Sequence, residues 1–472
     1  MTPSPDYAPL LEKCFWFDAV ESDTGLSVWG DLPDWLRGSY YIISPARFER
    51  GGRRYSHWAD GDGMVARLEF TEDGVEYTSR IVRTEKVRQE EHAGSFLYRA
   101  FGTAFEGDRL AESGAIQPAN NASIHWYAGR LLAFAENAPP YELNPVTLET
   151  GGEYDFGGAI PHSSALAGHP RIDRHLVNFD VSYGPGEPAL RVYEFDAAGH
   201  LLRRSEYPLG GPFYVRDFGL SNQRVAFFVN AQVMDTERFR QGASVMDSLG
   251  PTALHGARIL VAPRLENEMD PFWVDAGQGF CLGVVNCFDD EEQLILDVLE
   301  SDEPMDQDYA PLPDLFTRAS TCRAARYVID CKAKALSHRM EMDFNHISAF
   351  PAVETACEGH YYSDFWFLSI KESARRGRKF FDELAHGNWA RGYVKDIFEA
   401  PRGEYLAGAP VVVRNRNKRK NESALIVQHL IPARERSGFM IFDPQDVHAG
   451  PVARVSLKHR LHPGFHATFV PE

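Results

Sequence analysis

The stretch RVYEFDAAGHLLRRSEY, residues 191–207, holds the pattern that decides the fold. Val192, Tyr193 and Phe195 suit a pleated sheet. Asp196-Ala197-Ala198-Gly199 supplies a turn, and Leu201 to Tyr207 returns as a second strand. Aspartate offers a side-chain cap for turn amides and glycine tolerates positive φ, so the segment reads as a hairpin. Arg67 to Phe70 repeats the design, passing through Glu72-Asp73-Gly74 into Glu76 to Val82. Arg130 to Glu136, Val225 to Val229, Arg258 to Val261, Arg326 to Asp330 and Gly438 to Phe442 read as further strands. Strands that recur from end to end favour a closed all-β arrangement over alternating βα units. For 472 residues a β-propeller fits better than a small barrel. Two stretches look helical, Asp235 to Leu249 and Lys371 to His386, and are expected in connections that cap one face. No strict internal repeat and no Pro/Gly/Ser linker divides the chain, so residues 1–472 read as one domain.

Composition narrows the function classes. Hydrophobic residues make up 44% and charged residues 25%, enough apolar material for a large core. The 67 acidic against 49 basic residues give a net charge of −18, which opposes a nucleic-acid partner. The basic run Arg414 to Lys420 reads as a solvated loop. Six cysteines (Cys14, Cys281, Cys287, Cys322, Cys331, Cys357) show no CxxC spacing. With no signal peptide in view, they read as reduced thiols in the cytoplasm. No apolar stretch approaches the ~20 residues that span a bilayer, which leaves shallow membrane-surface contact open. No protein partner is evident. GxGxxG, GxxxxGK, HExxH and GxSxG patterns are all absent, which sets aside dinucleotide, nucleotide, zincin and α/β-hydrolase chemistry. Seventeen scattered histidines remain, and they converge only if a fold such as a propeller gathers them at its axis.

Several segments resemble the carotenoid cleavage oxygenase family. Ser56 to Val65 (SHWADGDGMV) is similar to the family's HWFDGDGM signature, a turn-rich strand entry with a structural role. Tyr77 to Glu85 (YTSRIVRTE), Gln117 to Asn121 (QPANN), Gly129 to Glu136 (GRLLAFAE), Pro140 to Gly158 and Gly450 to Pro471 follow in the family's order. The resemblance implies a seven-bladed β-propeller with a helical or loop cap over an axial tunnel. It also implies a ferrous ion held by four histidines from four blades, three of them oriented by glutamates.

Carried over residue by residue, that site is incomplete. His169, in Gly168-His169-Pro170, matches the first ligand, and His466, in Phe465-His466-Ala467, the last. Arg216 stands in the second position (Arg216-Asp217-Phe218) and Gly283 in the third, anchored by Asn286. Glu136 matches the first supporting glutamate, while Ala349 and Ala409 stand in place of the others. Arginine offers no lone pair and glycine no side chain, so neither binds a metal. The expected outcome is an ion pair between Arg216 and Glu136, with no cofactor. The alternative is Fe(II) held by His169, His466 and an inward-turned Asp217 or Glu136, a 2-His-1-carboxylate set. Three functions follow. One is a metal-independent isomerase, cyclase or lyase acting on a small hydrophobic unsaturated (terpenoid, polyene or aromatic) substrate, with His169 and His466 as acid or base and Arg216 steadying negative charge. The second is an Fe(II) dioxygenase that cleaves a carbon–carbon double bond. The third is a binder of apolar ligands without turnover. Each residue also has an ordinary role open to it: His169 at a strand end, His466 as a core histidine beside Phe465, Arg216 turned to solvent.

Overall fold

The 191–207 hairpin forms as read, with Ala189–Phe195 paired to Leu201–Pro208 in the register Tyr193↔Arg204. The computed structural model describes residues 11–23, 25–111, 114–160, 165–183, 186–252, 256–265, 268–304, 311–317, 320–371, 379–415 and 422–472. Such antiparallel units assemble seven sheets of four or five strands, and the protein is a seven-bladed β-propeller. Blade 1 is formed by His466–Pro471, Gly38–Ala46, Asp62–Thr71 and Gly74–Ile81. Blades 2 to 6 begin with Ser123–Tyr127, Arg171–Ile172, Phe213–Leu220, Phe280–Asp290 and Ile347–Ala352, and each continues outward in chain order. Blade 7 runs from Tyr405–Arg414 out to Ala453–Leu457, with Leu26–Gly30 added at its edge.

The ring is therefore closed twice. The late strand His466–Pro471 pairs with Gly38–Ala46 in blade 1, and the early strand Leu26–Gly30 pairs with Ala453–Leu457 in blade 7. The apolar residues of the strands pack in seven clusters among the described residues, one at each blade–blade interface. Every blade contributes to two interfaces, so middle strands such as Gln293–Ser301 (QLILDVLES) bury both faces and read as near-continuous apolar runs, while outer strands such as Leu201–Pro208 and Ala335–Glu341 stay partly exposed.

The helical readings fare less well. Asp235 to Leu249 holds two short helices, Thr236–Arg240 and Val245–Ser248, capped by Asp235 and Ser244. Lys371 to His386 is not a helix at its described end, because Glu383–Asn388 is the third strand of blade 6. Residues 372–378 lie outside the described residues, as does most of the basic run ending at Lys420. Glu85–Ala93 is a helix that the sequence reading did not assign. The cap over the axis is thus mostly loop. Its 99–101 segment is held to the Thr236–Arg240 and Val245–Ser248 helices by Arg99 Nη1 donating to Phe239 O and by Met246 N donating to Phe101 O at 3.0 Å.

The Ser56 to Val65 motif has the structural role expected of it. His57 and Asp60 cap a single 3-10 turn, and Asn121 donates to the carbonyls of Ala59 and Gly61. Gly63 lies so close to the 119–120 backbone that a Cβ there would sit 2.1 Å from Asn120 O. Gly63→Ala is expected to lower stability by about 3 kcal/mol, the upper range for overpacking, read as a lower urea midpoint with unchanged slope.

Candidate active site

The innermost strands of all seven blades converge on a cavity of about 710 Å³, lined by His466, His125, Ile172, Asp217, Gly283, Ala349 and Val411 among others. Phe101, Ile116, Phe350, Phe381 and Phe465 make much of its wall apolar. That size suits an elongated organic molecule. Trp58, from the Ser56 to Val65 motif, packs on Phe465 with ring centroids 4.5 Å apart and donates to Pro463 O. The motif therefore braces the segment that carries His466.

His169 and His466 meet as expected, with ring centroids 6.5 Å apart in an edge-on arrangement. Gly168 makes the approach possible: a Cβ there would meet Ala122 Cβ at 2.7 Å and Glu136 Oε1 at 3.0 Å. Glu136 is thus brought to the same wall as His169, and its charge favours protonation of that ring. Arg216 goes elsewhere. Its Nε donates to Leu282 O at 3.0 Å, and among the described residues no ion pair joins it to Glu136, so the expected pairing is corrected. The physical reason is proximity. Leu282 precedes Gly283 on the neighbouring innermost strand and offers Arg216 a carbonyl there, in the stretch where β-bulges interrupt both the 213–220 and the 280–290 pairings.

Asp217 is equally committed. It accepts from Arg171 Nη2 at 3.0 Å and from the backbone amides of Phe218 and Val284, both at 2.8 Å. Arg171 uses its whole donor fork: Nε to Phe218 O, Nη1 to Glu358 and Nη2 to Asp217 and Val284 O. Arg171 stands just after the Gly168-His169-Pro170 motif and was missed in sequence, since an arginine on a two-residue strand carries no pattern of its own. The other missed residue is His125, on the first strand of blade 2. Its ring lies 4.3 Å from that of His466, tilted by 37°. A histidine placed two residues beyond the start of a strand after QPANN was the available signal.

The electrostatics at this axis are consistent. Burial, reinforced by His169 and Arg171, pushes His466 down to about 3. His125 is held well below the usual imidazole range by burial and then by His466, His169 and Arg171. His169 is lowered by burial, against the pull of Glu136 and Asp217. His57 falls to about 3 through burial and Arg216. All are neutral at pH 7; at His169 the carboxylates of Glu136 and Asp217 favour protonation while Arg171 and Arg216 oppose it. Among the described residues no three His, Cys, Asp or Glu side chains converge closely enough to hold a metal ion.

With this geometry in hand, the comparison with known proteins is direct. A family model described as Retinal pigment epithelial membrane protein matches residues 17–471. The chain belongs to the carotenoid cleavage oxygenase family. The chain is 27% identical over 466 residues to an apocarotenoid-15,15'-oxygenase of Synechocystis, covering 95% of this chain and 91% of that one. It is 26% identical to a resveratrol cleavage oxygenase of Aspergillus fumigatus (99% and 95% covered) and 24% identical to an isoeugenol monooxygenase of Pseudomonas nitroreducens (96% and 96%). Cobalt-substituted Synechocystis apocarotenoid oxygenase superimposes with a TM-score of 0.87 at 23% identity, over 98% of this chain and 99% of the other, which establishes the fold.

Two outcomes follow for this family member. Removing Arg171 strands the buried carboxylates of Asp217 and Glu358, so Arg171→Met should cost about 3–5 kcal/mol. Adding Asp217→Asn and Glu358→Gln should recover part of that loss, as measured by urea denaturation. The second outcome concerns acid. Unfolded imidazoles titrate near 6.5, whereas His57, His462 and His466 in the folded chain titrate near about 3. Between those values the unfolded chain binds more protons, so stability falls as pH drops from ~6.5 toward 3. His462→Gln, away from the cavity, should flatten that slope in urea midpoints recorded across this range.

Proposed function

We propose that this chain is a metal-independent member of its family, acting by proton transfer or bond migration on a hydrophobic unsaturated compound bound in the axial cavity. The observation that carries this reading is the content of the hub, where the family pattern expects four ligating histidines. Gly283 offers no donor, and Arg216 turns a guanidinium to Leu282 O. Asp217 is already saturated by Arg171 and two amides. His466 Nδ1 accepts from Ile124 N–H at 3.3 Å, so the neutral ring bears its proton on Nε2, the atom that would otherwise ligate. These residues do not fit ferrous iron.

What remains suits non-oxidative chemistry. Neutral imidazoles in a cavity walled in large part by apolar residues accept and donate hydrogen bonds at fixed points, and a guanidinium steadies negative charge as it develops on a substrate. Isomerisation, cyclisation or elimination needs nothing more than this. The relatives, apocarotenoid, resveratrol and isoeugenol oxygenases, suggest polyenes, stilbenes and phenylpropenoids as first substrates to try.

Protein expressed with iron available and purified without chelator is expected to carry no stoichiometric iron, and to convert a member of such a panel equally with and without chelator. Iron at one equivalent, or turnover that chelation abolishes, overturns the reading in favour of an oxygenase. Gly283 has room for the lost ligand, since a Cβ there meets only Pro351 at 3.9 Å and Asp217 at 4.0 Å. The double change Arg216→His with Gly283→His is therefore expected to raise iron uptake, read by elemental analysis.

A further inference from the structure

Each blade ends at the rim in an outermost strand, whose free edge is a row of backbone amides and carbonyls able to pair with another strand. Charged side chains on such a strand resist that pairing. Six of the seven carry them: Glu76, Glu153, Arg204, Asp275, Arg339 and Lys395 stand on the outermost strands of blades 1 to 6. The seventh, Leu26–Gly30 (LSVWG) at the rim of blade 7, has no charged residue. It is exposed from Ser27 to Gly30, with Val28 at 40% and Trp29 at 66%. Val452, whose carbonyl lies against Gly30, adds a further exposed apolar side chain. Among the described residues the strand pairs only with Ala453–Leu457, on its inner side.

We infer that Leu26–Gly30 is a dimerisation edge, pairing antiparallel with the same strand of a second copy about a two-fold axis and joining two five-stranded blades into one sheet. Symmetry fixes the register. Successive side chains alternate between the two faces of a sheet, and a two-fold axis normal to the sheet keeps every residue on its own face. Only registers in which some residue meets its own copy are then allowed. All five residues find partners when that residue is Val28, the middle of the strand. Val28 then meets Val28, and Trp29, which carries the Arg454 guanidinium 5.8 Å over its ring, meets Ser27 of the second copy. One step further out, Asp31 faces Gly25 of the second copy. Gly25 is flanked by Lys458, whose side chain a Cβ at Gly25 would meet at 3.4 Å. Each Asp31 is thus brought beside a Lys458, and the axis generates that pair twice. Among the described residues neither side chain has an ion-pair partner within its own chain. This charge match selects a second copy over an arbitrary extended peptide. The net charge of −18 opposes association at long range, but salt screens it while the contact between uncharged strands is kept.

The test is the mass of the full chain, followed by sedimentation across a concentration series. The unaltered protein is expected to pass reversibly from monomer to dimer as concentration rises, as suits a small contact. Val28→Lys sets two like charges face to face at the axis and should abolish the dimer. Val28 is exposed, so an unchanged urea midpoint confirms that this variant is folded. Asp31→Lys should weaken association about tenfold, and adding Lys458→Asp should restore it. Mild oxidation then reads the register, with the unaltered chain as control for its own six cysteines. Val28→Cys should link two chains, because facing residues of an antiparallel pair lie about 4.5–5.5 Å apart at Cα. Trp29→Cys should not, since its two copies are offset along the strands by two residues, roughly 8 Å and beyond disulfide reach. A monomer at every concentration overturns the inference and leaves the edge to an extended segment of another protein. A dimer that survives Val28→Lys, or that links through Trp29→Cys as readily as through Val28→Cys, overturns it as well.

Discussion

Arg171 is the knot at the centre of this propeller. It leaves the first strand of blade 3 and holds Phe218 O and Asp217 of blade 4, Val284 O of blade 5 and Glu358 in the segment that follows the first strand of blade 6. A buried cluster of this kind contributes little net stability, because desolvation offsets much of the attraction. Its effect is positional. By consuming Asp217 it removes the one carboxylate on the second-ligand strand that could have turned inward. By fixing the 217 and 284 backbones it sets the spacing of the strands where Arg216 and Gly283 stand.

The same cation sets the chemistry of the opposite wall. Its charge adds to burial in keeping His125, His169 and His466 unprotonated. Hydrogen bonds from Ile124 and Ser123 then give each ring one orientation of its proton, so the wall has a donor side and an acceptor side. Phe350, Phe381 and Phe465 supply the apolar part of the same cavity.

Much of the fold was legible because hairpins declare themselves locally: sheet-forming residues on either side of the 72–74 and 196–199 turns placed two hairpins, and similar short runs marked the other strands that the sequence reading named. The Lys371 to His386 stretch misled because its mixed charge imitates a helix surface. In the structure Glu383 is a buried strand residue whose carboxylate accepts from Ser369 at 2.6 Å and meets His346. The Glu85–Ala93 helix was readable in hindsight from Thr84 at its start and Gly94 in the left-handed conformation at its end, the usual cap pair. At the cavity, His169, His466, Asp217 and Glu136 were singled out through the family resemblance, and the structure sets all four on its lining. The roles of Arg171 and His125 were not. Their partners lie on other blades, up to 342 residues away for the Ile124 to His466 contact beside them, and no local pattern reports such distances.

The two interlocked closures impose an order on biosynthesis. Strand Gly38–Ala46 is made early, yet one of its edges waits for His466–Pro471, and Leu26–Gly30 waits for Ala453–Leu457. While translation proceeds, an apolar strand edge (Tyr40, Tyr41, Ile42 and Ile43 among it) stays open on the nascent chain, available to any passing β-edge. The annulus seals only when its last-made strand docks beside its first-made sheet, so a stalled ribosome or a clipped tail would release an open and adhesive crescent rather than a slightly smaller wheel.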